Sequence, residues 1–79
     1  LLGESRWMDA KVVRITSTMF DDEVVFEGSN GRTYILYTEC GEYVLGEEVE
    51  IITTSAMFTG EANISASSDK IEKIRRIKQ

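Results

Sequence analysis

The sequence predicts a mainly β protein: a small five-stranded barrel followed by a short basic C-terminal helix. Three observations predict it. Short runs rich in β-branched residues recur along a chain of only 79 residues, each bounded by Gly, Asn or Asp, which is the spacing of a small barrel. The pair Asn30-Gly31 sits between two apolar runs, a strong local signal for a β-hairpin. From residue 69 onward the apolar period changes from two to three, as Ile71, Ile74 and Ile77, which fits one side of a helix.

The first strand is Ala10–Thr16, where Val13 and Ile15 are expected on one face and Arg14 on the other. Asp21-Asp22 forms a turn. The runs Glu23–Glu27 and Arg32–Tyr37 then flank Gly28-Ser29-Asn30-Gly31, and the Asn-Gly pair supplies the positive φ that a tight hairpin turn needs. Gly41 and Gly46 bracket a connection through Tyr43-Val44-Leu45. A strand follows at Glu48–Thr54, with Val49 and Ile51 inward and Glu48 and Glu50 in water. A fifth strand is expected at Glu61–Ala66, after a turn near Thr59-Gly60.

The tail carries helix signals. Asp69 stands at an N-cap position, Glu72 completes a capping box, and Arg75, Arg76 and Lys78 lie toward the end that the helix dipole makes negative. The competing reading is a bulged final strand, because three Ile residues also close a small barrel. The expected organisation is therefore an irregular segment over 1–9, a β-barrel of OB or SH3-like kind over 10–68, and a basic Ile-striped helix over 69–79, packed on the barrel or on a partner.

Charge divides the chain in the same place. Residues 1–68 hold 4 Lys/Arg against 12 Asp/Glu, and residues 69–79 hold 5 against 2, within an overall net charge of −5. An acidic body disfavours nonspecific attraction to nucleic acid and to anionic membranes, since the leading affinity for both is electrostatic; only the tail escapes this. A chain this short buries about 60% of its unfolded surface, enough for one core. With 42% apolar residues it reads as folded. The single Cys40 cannot form an internal disulfide, and no run nears the roughly 20 apolar residues of a membrane span. A cytoplasmic location is expected, and the start at Leu1 in place of Met is expected of a piece of a larger parent chain.

Catalytic chemistry is sparse. The chain has no histidine, which removes the usual general base at neutral pH and the commonest metal ligand. Glu39 and Glu42 beside Cys40 are expected to raise the thiol's pKa, against nucleophilic use. The Asp21-Asp22-Glu23 run lacks the alternating ligands and central Gly of a calcium loop and reads as a turn. Glu47, Glu48 and Glu50 read as a solvated strand start. Gly28, Gly31, Gly41 and Gly46 are turn glycines, with no Gly-Lys-Ser/Thr phosphate loop. Asn63-Ile64-Ser65 fits a glycosylation acceptor only in a secreted chain. No metal, cofactor or catalytic residue is expected, and the protein is expected not to be an enzyme.

The strand at Ala10–Thr16, the Gly-turned hairpin over Val24–Tyr37 and the run Gly46-Glu47-Glu48-Val49-Glu50-Ile51 together resemble small OB-type barrels. Gly28, Gly31, Gly46 and Val49 give a slight similarity to the soluble C-terminal domain of NfeD-type membrane proteins, from which Ser55–Ser68 and the basic tail depart. The likeness covers roughly residues 10–54.

OB-type barrels stack bases on exposed aromatics in a basic groove, and Lys11, Arg14, Arg32, Phe26, Tyr34 and Tyr37 share that sheet region. Alternation, however, sets Phe26 with Val24 and Tyr34 with Leu36, toward the interior. Tyr37 and Tyr43 are the better surface anchors, since Tyr is enriched at interfaces, and Trp7 either plugs the barrel end or docks a partner. The expected function is a non-catalytic protein-interaction or assembly module, with partner-binding residues Trp7, Tyr37, Tyr43, Ile71, Ile74 and Ile77. Its partner is another protein or a second copy of the chain, without membrane insertion of this segment. The alternative is single-stranded nucleic-acid binding through Lys70, Lys73, Arg75, Arg76 and Lys78, with Tyr37 or Tyr43 stacking.

Overall fold

The computed structural model describes residues 6–59 and 65–77. Five antiparallel strands, β1 (Met8–Ser17), β2 (Asp22–Gly28), β3 (Thr33–Thr38), β4 (Glu48–Thr59) and β5 (Ser65–Arg76), form one sheet in the order β3-β2-β1-β4-β5. The sheet curls into a half-barrel. Its concave face buries Val12, Val24, Phe26, Tyr34, Val49 and Ile51, with Met8, Ile15, Leu36, Tyr43, Ile71 and Ile74 packed around them. Tyr43 meets Phe26 edge to face, with ring centroids 5.4 Å apart. The inward pairs Val24/Phe26, Tyr34/Leu36 and Val49/Ile51 are those that alternation predicts.

The β2–β3 hairpin turns where Asn30-Gly31 says it should. Gly31 donates its N–H to the Gly28 carbonyl (2.9 Å) and adopts a φ of 84°, a left-handed conformation that suits glycine. Gly28 in turn donates to the Arg32 carbonyl, so the connection has three residues, Ser29 to Gly31, with glycine at the bulge position.

Two β-bulges correct the expected strand faces. In β1 the register steps from Val12↔Phe26 to Arg14↔Val25, so Val13 is an extra residue. Val12 is therefore 1% exposed and Val13 39% exposed, while Ile15 packs on the core. The expectation that Val13 and Ile15 share a face is overturned: the inward pair is Val12 and Ile15, three apart.

The second bulge explains the tail. Instead of the helix expected over 69–79, Ser65–Arg76 is β5, paired antiparallel along β4 from Thr59↔Ser65 to Val49↔Arg76. The register steps from Ile52↔Lys73 to Thr53↔Ile71, which leaves Glu72 as the extra residue. One inserted residue turns a spacing of three into a same-face pair, so Ile71 and Ile74 both reach the core. A helix this short is marginal alone; the β4 ladder and the burial of two isoleucines outweigh the capping signals. Residues 78–79 lie outside the described residues. So does most of the strand expected at Glu61–Ala66, since β5 begins at Ser65.

Asp22 fastens one end of the sheet. Its buried carboxylate accepts from Ser17 Oγ at 2.6 Å and from the Gly41 N–H at 2.9 Å, tying the β1–β2 turn to the loop after β3. The ordinary carboxyl value is lowered, by the Ser17 hydrogen bond first and the Gly41 N–H second, because both favour the ionised form.

Candidate functional site

The two edges of the curled sheet, β3 and β5, face each other. Every neighbouring strand pair is antiparallel, so β3 and β5 run in the same direction. Their Cα atoms approach to within 8 Å, yet among the described residues no ladder joins them.

An open groove of about 470 Å³ follows the seam. Tyr34, Leu36 and Ile71 form its floor toward the core, and Thr33, Ile35, Tyr37 and Lys70 line it outward. Ile35 is 52% exposed and Tyr37 64% exposed, which is a large apolar area for one short edge strand. Tyr34 is held by a hydrogen bond that its hydroxyl accepts from Asn30 Nδ2 (3.0 Å). Tyr37 donates its hydroxyl to Glu23 Oε2 (3.1 Å). The Tyr37 hydroxyl titrates above its usual 10.0, first through that hydrogen bond and then through the Glu23 charge. The seam thus combines an apolar floor, an aromatic rim and, among the described residues, two strand edges without a ladder between them.

The residues singled out from the sequence separate. Tyr37, Ile71 and Lys70 meet at the seam. Tyr43 lies half-buried between Phe26 and the guanidinium of Arg76, whose central carbon is 4.4 Å from the Tyr43 ring centroid. Trp7 carries Arg75 over its ring at 4.0 Å. Ile74 is packed into the core. Ile77, still partly exposed, borders a second hollow of about 310 Å³ with Asp9, Lys11, Glu27 and Glu48. Lys73 is exposed on β5, and Lys78 lies outside the described residues.

The charge split closes within the molecule. Arg75 Nε reaches Glu50 Oε1 at 2.7 Å; Arg76 Nε reaches Glu47 Oε2 at 2.7 Å and its Nη1 reaches Glu42 Oε2 at 3.4 Å. The acidic body thus receives the arginines of its own tail. The Cys40 thiol is exposed and raised in pKa, by partial desolvation first and then by Asp22, and not by the Glu39 and Glu42 neighbours expected to raise it. Among the described residues no three acidic or Cys side chains converge as a metal site, and no helix is long and apolar enough to cross a membrane.

Sequence reasoning missed Ile35 and the seam itself. The outward position of Ile35 is implied by the inward Tyr34/Leu36 pair, but the seam depends on which strands end the sheet, and that order is not local information. No family model, curated protein or solved structure matches the chain, and the likeness to NfeD-type domains has no counterpart among these comparisons.

Proposed function

We propose that this protein is a non-catalytic interaction module that receives an extended segment of a partner protein, as an added strand, in the seam between β3 and β5. The observation that carries the reading is the pair of unladdered edges flanking an apolar groove. Strand addition draws affinity from backbone hydrogen bonds and specificity from alternate side chains. A strand laddered to both β3 and β5 needs them about 9.6 Å apart, two sheet spacings, so the seam, whose Cα atoms come within 8 Å, opens to receive it.

The side chains define the segment. Positions facing the floor meet Tyr34, Leu36 and Ile71 and are apolar. Positions facing out lie beside Ile35, Tyr37 and Lys70 and are polar; those near Tyr37, whose hydroxyl bonds Glu23 on a chain of net charge −5, favour a basic side chain. The fold is read as an OB-type barrel in which β3 and β5 would be the closing pair. The nucleic-acid reading has less support: Arg75 and Arg76 are engaged by Glu50, Glu47 and Glu42, and Tyr43 offers no free face comparable with that of Tyr37. The lack of histidine supports binding over catalysis.

The test is calorimetric titration of the whole chain with an octapeptide alternating Lys and Val, beside the same peptide N-methylated at alternate residues. Saturable binding to the first and none to the second supports strand addition, since methylation removes the ladder donors. Equal binding of both, or of neither, overturns it.

A further inference from the structure

The turn between β1 and β2 presents two large apolar side chains to solvent: Met19 is 91% exposed and Phe20 86% exposed. The turn itself is tightly fixed. Thr18 donates its N–H to the Asp21 carbonyl at 2.8 Å, and the N–H groups of Phe20 and Asp21 both donate to Thr18 Oγ1 at 3.1 Å. Thr18 Oγ1 also donates to Asp21 Oδ1 at 2.9 Å. An apolar pair on a preordered turn loses little conformational freedom on docking. Asp21 lies in the turn, Glu23 two positions after it, and Glu39 next to Cys40, whose thiol is 3.8 Å from the Thr18 carbonyl; these three carboxylates are the acidic collar of the turn.

The turn also stands at a defined end of the seam. Thr38, the last residue of β3, pairs with Asp22, and Asp22 pairs with Ser17, so the Thr18–Asp21 turn rises from the level at which β3 ends. From the seam to the turn is about two strand spacings, or about 10 Å, a distance that three extended residues cover. A strand added antiparallel to both β3 and β5, the more stable pairing, enters with its N-terminal side at this end.

We infer that Met19 and Phe20 form a second anchor for the same partner, receiving an apolar residue flanked by Lys or Arg that lies three or more residues N-terminal to the strand-forming segment. This rests on the seam reading given above. The acidic collar selects the basic flanks, and it disfavours an anionic bilayer as the alternative occupant.

The experiment compares three peptides on the full chain: the Lys-Val octapeptide, the octapeptide extended at its N-terminus by Arg-Phe-Lys-Gly-Gly-Gly, and the octapeptide extended at its C-terminus by Gly-Gly-Gly-Lys-Phe-Arg. The expected result is binding tighter by about fivefold or more for the N-terminal extension alone, the size of effect that burial of part of one aromatic ring gives. The gain disappears in a Met19→Ser/Phe20→Ser double variant, which leaves the affinity of the bare octapeptide unchanged. Equal affinities for the two extended peptides overturn the anchor while leaving the seam reading intact. Failure of the bare octapeptide to bind is failure of the seam reading itself. Sedimentation of the wild type, but not the double variant, with phosphatidylcholine or phosphatidylserine vesicles overturns the assignment to a peptide and gives the tip to lipid.

Discussion

Arg76 lies over Tyr43, with its guanidinium carbon 4.4 Å from the ring centroid, and the same guanidinium bonds Glu47 and approaches Glu42. Through Tyr43 the contact continues into the core, because that ring stands edge-on to Phe26. The last residue of β5 thereby fastens the loop before β4. All these groups are partly in water, so the ion pairs are worth at most about 1 kcal/mol each and the cation–π contact about 0.5–1 kcal/mol. Arg76→Ala is expected to cost about 1–2 kcal/mol in urea unfolding, with part of the difference disappearing at high salt. A variant as stable as the wild type contradicts this account of the tail.

Deleting Glu72 is expected to remove the bulge and keep the core. Without the extra residue Ile71 and Ile74 stand two positions apart, so a regular β5 still turns both inward opposite Thr53 and Ile51. The deletion and Glu72→Ala are both expected to stay within about 1 kcal/mol of the wild type. A denaturant midpoint for the deletion that shows a loss of about 1.5–3 kcal/mol, the size of one isoleucine leaving the core, contradicts the bulge.

Acid is expected to loosen the junction at Asp22. Its folded pKa lies below the ordinary 3.8, so the stabilisation it provides is fully present above that value and is lost as pH falls through the lower folded value. Asp22→Asn removes this dependence. The stability gap between wild type and variant should therefore narrow below about pH 3.8; a gap that does not change with pH contradicts the assignment.

The Tyr37 hydroxyl gives a spectroscopic handle on the seam. Its raised pKa depends on Glu23, whereas the raised pKa of Tyr43 is led by desolvation. Glu23→Gln is expected to bring one tyrosine back toward 10.0 in an ultraviolet pH titration and to leave the other raised. No movement in either titration contradicts the Tyr37–Glu23 contact as the cause.

Much of the core was legible because strand alternation is a local property: Val24, Phe26, Tyr34, Leu36, Val49 and Ile51 all face where their period puts them. The errors fall at the two bulges. An extra residue at Val13 or Glu72 makes an inward pair three apart, and in sequence that spacing is indistinguishable from one side of a helix. Asp69 and Glu72 reinforced the helical reading with a capping pattern, and only pairing with β4, distant in the chain, overrules it. Of the site, Tyr37 and Ile71 were readable as apolar surface candidates. Their meeting was not, because it depends on the curl that brings the two ends of the sheet together. The tail's arginines read as an offered charge for the same reason: their partners Glu42, Glu47 and Glu50 lie some 25 to 35 positions earlier in the chain.

The central claim is that the seam accepts a strand, and amide hydrogen exchange read residue by residue, with and without the Lys-Val octapeptide, tests it most directly. Half of the β3 amides, at alternate residues from Thr33 to Thr38, point away from β2 and should exchange quickly in the free protein. The account predicts that the peptide slows these amides and those of β5 near Lys70 and Ile71, while the β1–β2 ladder keeps its rates. Bound peptide that leaves the β3 edge exchanging as before, or protects only the outer face around Trp7, would contradict it.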